Sequence, residues 1–311
     1  MESLNRMAIE LADEALDFAE ELRIGAFDLE NGATVLDFGV DHPGGIEAGL
    51  LLAELQTAGL ATMQTRMDRV AGNPFPSVEV ATDRPDLALL GAQKAGWELS
   101  VGEFEGLGSG PARALVADEA EYRAIDYTDV FDFAVLAIES DRLPTPAVAE
   151  RVADRADVNT ESVFLAVFPT ASMAGSVSIA ARASELAMFR LFELGYDPTD
   201  VLTAAGSAPV APVPASEDEA IARTNDAIAY GGEVHLTVAE DDDVFADLPS
   251  TASETYGTPF RHIFAEADWD FHEVDPAVFA PASVTVDVVG GPTYGLGETD
   301  ESLLAESFDL E

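Results

Sequence analysis

The sequence predicts an α+β (mixed α/β) fold organised as two domains. A chain of 311 residues is longer than one ordinary domain. Helical and strand patterns follow one another without a regular strand–helix–strand period, which argues against a barrel or a doubly wound sheet. The acidic segment 126–132 is the best candidate for the boundary. We therefore expect an N-terminal α/β domain over residues 1–127 and a C-terminal one over 128–311, with the two free to interleave.

The first elements have clear local signals. Apolar residues recur at three- and four-residue steps over residues 3–22, which predicts an amphipathic helix. The pair Asn31-Gly32 separates two β-rich runs and predicts a hairpin of Gly25–Leu29 and Thr34–Phe38. A second helix is expected over Ile46–Gln56.

The rest of the chain continues to mix short strands with helices. Pro and Ala dominate residues 204–215, which we expect to form an extended loop. The other expected elements, in chain order, are a strand at Ser77–Ala81, a helix at 85–95, a strand at Trp97–Val101, a glycine loop at Gly106–Gly110, a short helix from Pro111, a strand at Val130–Ile138, a helix at 145–155, a strand at Ser162–Val167, a long Ala-rich helix at 175–194, a helix at 216–229, and strands at Glu233–Ala239 and Ser283–Val289.

Charge and composition exclude several classes of function. The chain has 59 Asp and Glu against 15 Lys and Arg, a net charge of −44, so it lacks the basic surface that nucleic acid or an anionic membrane requires. Disorder is contradicted by 48% apolar residues. The carboxylates are typical of a protein from a salt-loaded cytoplasm. No secretory signal and no apolar run near the length of a membrane span is visible, so we expect a cytoplasmic protein.

Lysine occurs once, as Lys94, among 15 basic residues. A lysine ammonium is a compact point charge, which the planar guanidinium of arginine does not replace. Its retention indicates a functional group. The alternative is a solvated lysine left at a helix end.

Arg182 and Glu185 share one stripe of the long Ala-rich helix with Leu186 and Phe189. If this stripe lines a cleft, Glu185 is a candidate general base whose ionised form Arg182 favours. An ordinary surface ion pair at this spacing, worth only ~0.2–0.5 kcal/mol, explains it equally well.

Other segments offer candidate binding residues. Gly108, Ser109 and Gly110 precede a short helix, whose N-terminus can hold an anion with help from Arg113, although a plain tight turn fits as well. Small and polar residues that could approach a flat ligand recur further on, although turn chemistry explains each of them; they are Ser172, Asn225, Asp226 and Tyr230.

No metal or cofactor motif is apparent. The four histidines, at positions 42, 235, 262 and 272, lack ligand spacing, and there is no cysteine. A Walker A motif, a Rossmann fingerprint and a nucleophile elbow are also absent in their required settings. Nucleotide, nicotinamide and serine-hydrolase functions are therefore disfavoured.

Taken together, these segments resemble the methenyltetrahydromethanopterin cyclohydrolase family, one-carbon enzymes of archaea and some methylotrophic bacteria. The resemblance covers essentially the whole chain. The matching segments, in order, are Gly44–Leu50, Ala92–Trp97, Gly108–Leu115, Pro169–Glu185, Gly206–Val213, Arg223–Gly232 and Asp275–Pro281.

The resemblance implies a two-domain α/β enzyme with a cleft between the domains, free of metal and cofactor, and usually a homo-oligomer such as a trimer. The substrate that the resemblance implies is a reduced pterin, 5,10-methenyltetrahydromethanopterin, whose ring water opens to give the 5-formyl compound. The family uses a Glu, an Arg three residues before it and a Lys, and these match Glu185, Arg182 and Lys94. A folate-type carrier and a non-catalytic pterin-binding protein are the alternatives.

Overall fold

The computed structural model describes residues 3–269 and 273–310, and the chain divides into two compact units. The first unit takes Met1–Thr62 and Asp86–Ser178, and the second takes Met63–Pro85 and Ile179–Glu311. The α+β class is therefore confirmed. The boundary predicted between residues 127 and 128 lies inside the first unit, so the observed division differs from the predicted one. The two units interleave along the chain.

Each unit contains a six-stranded sheet. The order is β1-β2-β8-β7-β6-β5 in the first unit and β12-β11-β10-β9-β4-β3 in the second. The strands are β1 Gly25–Asp28, β2 Thr34–Asp37, β3 Thr62–Val70, β4 Asn73–Thr82, β5 Trp97–Val101, β6 Phe104–Ser109, β7 Ala134–Glu139, β8 Val163–Phe168, β9 Val201–Pro209, β10 Glu233–Val238, β11 Ser283–Val288 and β12 Thr293–Gly297.

Helices flank these strands in both units. A π-helix at Asp86–Gln93 precedes β5, and short 3₁₀ turns connect several other elements. The α-helices are α1 Leu4–Asp17, α2 Ala19–Leu22, α3 Ile46–Gln56, α4 Arg113–Val116, α5 Ala120–Ala124, α6 Pro146–Ala156, α7 Met173–Ala180, α8 Ala183–Glu193, α9 Glu217–Gly231, α10 Phe260–Glu266 and α11 Glu301–Ser307.

The first sheet is parallel at its centre and antiparallel at its edges. Strands β2, β8 and β7 run parallel, whereas β1, β6 and β5 add as antiparallel neighbours. The central strands are buried along almost their whole length, which explains their continuous apolar sequence. Trp97 anchors the core between this sheet and α6, with the guanidinium of Arg155 lying 4.3 Å from the centre of its ring. Parallel strands end at the same edge, so β2, β7 and β8 place their following residues together.

The second sheet explains why the units interleave. Its strand β9 pairs with β10 on one side and with β4 on the other, both antiparallel. The β4 register runs from Ser77 opposite Pro209 to Thr82 opposite Ala204. The β3–β4 hairpin therefore joins a sheet whose other strands come more than a hundred residues later. This pairing joins residues far apart in the sequence, so the spacing of residues within a short segment does not predict it.

Several local predictions are confirmed. The hairpin, the helix Ile46–Gln56 and the strand Trp97–Val101 occur where expected. The helix expected over 3–22 is interrupted at Phe18, whose backbone leaves the helical region. The helix expected over 85–95 is a π-helix, with the Lys94 N–H donating to the carbonyl of Leu89, five residues earlier.

Three other expectations were wrong. The segment 204–215 begins as strand β9, and its small residues let α8 pack closely, since a Cβ on Gly206 would lie 2.5 Å from the Ser184 Oγ. The long helix expected over 175–194 is two helices, α7 and α8, separated at Arg182. The glycine loop expected at 106–110 is mostly the end of strand β6. Small residues mark close packing in strand β9 and at the end of β6.

Across residues 3–269 and 273–310, no helix combines the length and the apolar character that a membrane span requires.

Candidate active site

Arg182 and Glu185 form a tight pair at the start of α8. Arg182 is the N-cap residue of the helix and Glu185 lies in its first turn. The Nε and Nη2 atoms of Arg182 donate to Oε2 of Glu185 at 3.0 and 2.9 Å. The side chains are only 10% and 1% exposed, so this is a buried pair rather than the ordinary surface pair that the spacing allowed. The positive end of the helix dipole further favours a carboxylate at this position.

The two oxygens of Glu185 are not equivalent. Both hydrogen bonds from Arg182 end on Oε2. Within the described part of the chain, Oε1 accepts no hydrogen bond. A carboxylate that is held through one oxygen, and whose other oxygen has no hydrogen bond to the described residues, has the arrangement that a general base requires.

Lys94 lies directly after the π-helix and is held by two carboxylates. Its Nζ lies 2.8 Å from Oε1 of Glu121 and 3.2 Å from Oε2 of Glu119. The side chain is only 14% exposed. Lys94 is therefore not a solvated residue at a helix end.

Arg113 supports this cluster from the interior. Its side chain is fully buried, and its Nε and Nη2 contact the two oxygens of Glu119 at 3.0 and 2.6 Å. Its Nη1 donates to the carbonyls of Ala92 and Lys94 at 3.2 and 2.5 Å. Burial opposes the charge of Glu119, but the hydrogen bond and charge of Arg113, together with Lys94, hold its pKa below the usual value. These contacts fix Glu119 and the backbone around Lys94, and contact of Arg113 with substrate stays a prediction.

The glycine segment before Arg113 is also committed to interior contacts. Gly110 has a φ of +99°, a conformation that favours glycine, and its N–H donates to the Ala92 carbonyl at 2.8 Å. Gly108 accepts a hydrogen bond from Gly96 through its carbonyl. Ser109 is buried, and its Oγ accepts a hydrogen bond from Nε2 of Gln56 at 3.1 Å. An anion site in this segment stays a prediction.

Ser172 immediately precedes helix α7. Its Oγ accepts from the N–H of Gly175 at 2.9 Å and donates to the carbonyl of Pro169 at 2.8 Å. Gly39 lies against it, since a Cβ there would be 2.5 Å from the Ser172 Oγ. These contacts explain Ser172 as a capping residue, and its contact with substrate stays a prediction.

The three residues predicted on α9 differ in exposure. Asn225 is half-buried and its Nδ2 donates to the carbonyl of Ile221. Asp226 is buried and accepts from the Phe260 N–H at 2.9 Å and the Ser307 Oγ at 2.6 Å. Burial raises the pKa of Asp226 to about 6.

Tyr230, one turn after Asp226, is fully buried, and its hydroxyl donates to the carbonyl of Thr258 at 2.6 Å. Asp226 and Tyr230 therefore hold α9 to its neighbours. Contact of Asn225, Asp226 or Tyr230 with substrate stays a prediction.

Polar residues at the ends of parallel strands were missed from the sequence. Asp37 ends β2, Glu139 ends β7, and Thr170 follows β8, where its hydroxyl donates to Glu139. Ligands of open sheets with parallel strands commonly bind at the carboxyl ends of those strands. Asp37 and Glu139 are each the acidic residue that ends an apolar strand, and this pattern in the sequence could have identified them.

Asp37 organises the loop that follows β2. Its carboxylate accepts from the backbone N–H groups of Gly39, Val40, Asp41 and His42 at 2.7–3.2 Å and from the His42 ring at 2.8 Å. Burial opposes its charge, but the His42 and backbone hydrogen bonds outweigh burial and lower its pKa.

Within residues 3–269 and 273–310, no group of three or more His, Asp and Glu side chains is arranged to hold a metal ion. Of the four histidines, His272 lies outside the described residues.

Comparison with known proteins identifies the family of the chain. A family model described as Cyclohydrolase (MCH) matches residues 3–308. The methenyltetrahydromethanopterin cyclohydrolase of Halobacterium salinarum is 65% identical over 310 residues, covering 100% of both chains. The proteins of the same name from Methanothermobacter marburgensis and Methanospirillum hungatei are 42% and 39% identical, each over at least 99% of both chains. The chain belongs to the methenyltetrahydromethanopterin cyclohydrolase family.

Proposed function

We propose that the protein is a hydrolase that opens the cyclic amidinium of 5,10-methenyltetrahydromethanopterin with water to give 5-formyltetrahydromethanopterin, reversibly. The observation that carries the proposal is the buried Arg182–Glu185 pair, in which one carboxylate oxygen is fixed and the other accepts no hydrogen bond from the described residues. Relatives named methenyltetrahydromethanopterin cyclohydrolase match the chain over its full length.

The reaction requires little of the protein beyond placement and proton transfer. The methenyl carbon bridges N5 and N10 and carries the positive charge of the amidinium, so it is already an electrophile. Water adds to this carbon while Oε1 of Glu185 takes one of its protons. The hydroxyl group of the adduct then gives up its proton and becomes the formyl C=O as the bond from carbon to N10 breaks, and the formyl group stays on N5. Of the two protons that the water brought, one ends on N10 and the other is released. One water is consumed and one proton is released.

Arg182 orients Glu185 by its two hydrogen bonds to Oε2. Orientation of a base by a neighbouring group is a general way to hold a reactive geometry. We assign to Lys94 an electrostatic role in the reaction, supplied by its fixed ammonium.

The cofactor, the assembly and the location are further parts of the proposal. An activated amidinium needs no Lewis acid, so we propose a reaction free of metal and organic cofactor. Activity that a chelator abolishes and a divalent metal restores would contradict this. We also propose a cytoplasmic homotrimer, and sedimentation in several-molar KCl would give its mass.

The decisive assay mixes the purified full-length protein with methenyltetrahydromethanopterin in several-molar KCl and follows the loss of the methenyl absorbance. We expect loss much faster than in buffer. Methenyltetrahydrofolate is the parallel substrate, and faster turnover of it would assign a folate-type carrier instead. Tight binding of the carrier without any acceleration would indicate a non-catalytic pterin-binding protein.

A further inference from the structure

The single lysine of the chain is held by acids from one short segment. Glu119 is the N-cap residue of α5 and Glu121 lies in its first turn. Both side chains are nearly buried, with 14% and 6% exposed, and both reach the Lys94 Nζ. The helix start thus presents two carboxylates to one ammonium.

Four charged side chains form this cluster, and the two cations offset the two anions. Arg113 contacts both oxygens of Glu119, so that carboxylate already has a cation. The ion pair of Glu121 is with Lys94, at 2.8 Å. Two cations and two anions therefore share a nearly buried site. Removing one partner from such a set leaves a buried charge uncompensated, which is strongly unfavourable.

The same residues also hold the backbone that carries the lysine. The Tyr122 hydroxyl, from α5, donates to the Gly91 carbonyl at 2.7 Å. Arg113 donates to the carbonyls of Ala92 and Lys94. The end of the π-helix and the ammonium are consequently fixed by one surrounding group of side chains. Stretches of π-helix are frequent at functional sites.

Gly96 makes room for this arrangement. A Cβ at Gly96 would overlap Oε2 of Glu119 and lie 2.9 Å from the Arg113 Nε. Glycine at this position therefore permits the close approach of the Glu119 carboxylate to the chain that follows Lys94.

We propose that Glu119 and Glu121 are positioning residues that fix the Lys94 ammonium for the reaction, with Arg113 fixing Glu119 in turn. The inference rests on the proposed function insofar as Lys94 acts on the substrate. It adds the reason that lysine is retained here, because the two acids define a place for one compact ammonium.

A single lysine allows a direct test, since lysine labelled with ¹³Cε and ¹⁵Nζ gives one side-chain resonance in the full-length protein. We expect wild-type ammonium protons protected from exchange, and a changed ¹³Cε shift with loss of that protection in Glu121→Gln. Gly96→Ala should alter the signal as well, although it changes no charge. Glu103→Gln is the matched control, because Glu103 is 98% exposed and lies 4.0 Å from Arg142.

Turnover gives the second readout. We expect Glu121→Gln to lower kcat by roughly 10²-fold, as for a misplaced catalytic group, with a smaller change in KM. Combined with Lys94→Ala, it should cause no further loss. Glu121→Asp keeps the charge and should recover part of the activity. Melting in KCl verifies that each variant folds.

Two results would overturn the inference. One is an unchanged lysine resonance in both Glu121→Gln and Gly96→Ala. The other is full turnover in Glu121→Gln while Lys94→Ala is inactive. If the wild-type protein shows no turnover at all, the proposed function fails, and the lysine resonance alone decides whether the two acids fix the ammonium.

Discussion

Each of the two units carries one charged group with a proposed catalytic role, and the two are held in different ways. In the second unit Glu185 is held by Arg182, three residues earlier at the start of the same helix. In the first unit Lys94 is held by Glu119, which lies 25 residues away, and by Glu121. The first arrangement is local and the second depends on tertiary structure. Spacing in the sequence therefore reveals one of them and hides the other.

The electrostatic support also differs. The Arg182–Glu185 pair is a single cation and a single anion, aided by the N-terminus of α8. The Lys94 cluster needs a second cation, Arg113, with no side-chain exposure. Local support allows conservative substitutions that keep the structure, whereas a network of four charges responds as a unit.

The largest effect should come from salt, because it acts on both units together. We expect the melting temperature to fall steeply below roughly 1 M KCl, since the Debye length grows from ~3 Å at 1 M to ~10 Å at 0.1 M and the 59 acids then repel one another. Melting measured against KCl concentration tests this, with sucrose as the non-ionic control. A melting temperature independent of salt would show that the carboxylates are locally compensated.

The next largest effect is expected for Glu185→Gln. Glutamine keeps an oxygen that accepts from Arg182 but cannot take a proton, so turnover should fall by ~10²-fold or more while carrier binding is retained. Stopped assays and carrier titration measure the two quantities. Glu193→Gln is the matched control on the same helix, paired with Arg190 at 3.8 Å. Comparable turnover in Glu185→Gln and wild type would remove Glu185 from the mechanism.

The two units also contain buried acids whose contributions to stability depend on pH in opposite directions. Asp226 in the second unit has a folded-state pKa of about 6, raised mainly by burial from 3.8. Its contribution to stability is therefore present below pH 3.8 and lost as pH rises through about 6. Asp226→Asn should remove this loss and stabilise the protein at pH 7 by up to roughly 3 kcal/mol. Denaturant unfolding between pH 4 and 8, in saturating KCl, measures the difference from wild type.

Asp37 in the first unit is the control with the opposite sign. Its pKa is lowered, because the His42 and backbone hydrogen bonds outweigh burial. Its contribution is present above pH 3.8 and lost as pH falls through the folded-state pKa. Asp37→Asn should destabilise the protein at pH 7. If both variants shift stability in the same direction, the assignment of these two acids is incorrect.

The smallest effect is expected for Lys94→Arg, with a loss of about 10-fold in kcat/KM, or ~1.4 kcal/mol. Arginine keeps the charge, but its planar fork does not occupy the place that Glu119 and Glu121 define for one ammonium. Kinetics and melting are measured together. Full activity in the variant would leave Arg182 and Glu185 alone to support the mechanism.

The sequence predicted the parts of the fold that depend on neighbouring residues. The Asn31-Gly32 hairpin and helix α3 follow from turn chemistry and periodicity over a few residues. Strand β9 could not be predicted in this way, because its small residues reflect packing against α8 and pairing with a distant hairpin. The boundaries of the interleaved units escaped prediction for the same reason.

In the candidate site, too, the sequence predicted contacts between neighbouring residues but missed those that depend on tertiary structure. The spacing of Arg182 and Glu185 predicted their pairing, but the break before α8 that makes Arg182 an N-cap residue was missed. Lys94 was found because it is the single lysine. Its partners were not found, since nothing near residues 119 and 121 distinguishes two acids among 59.

The interleaving of the chain has a consequence during synthesis. The β3–β4 hairpin leaves the ribosome long before its partner strand β9 has been translated. A lone hairpin is at best marginally stable, and the open edge of β4 could recruit a strand from another nascent chain. Strand β4 itself carries Pro74, Pro76 and Glu79, and prolines and charges on an open strand oppose such edge-to-edge pairing. These residues therefore serve the unfinished chain as well as the finished protein.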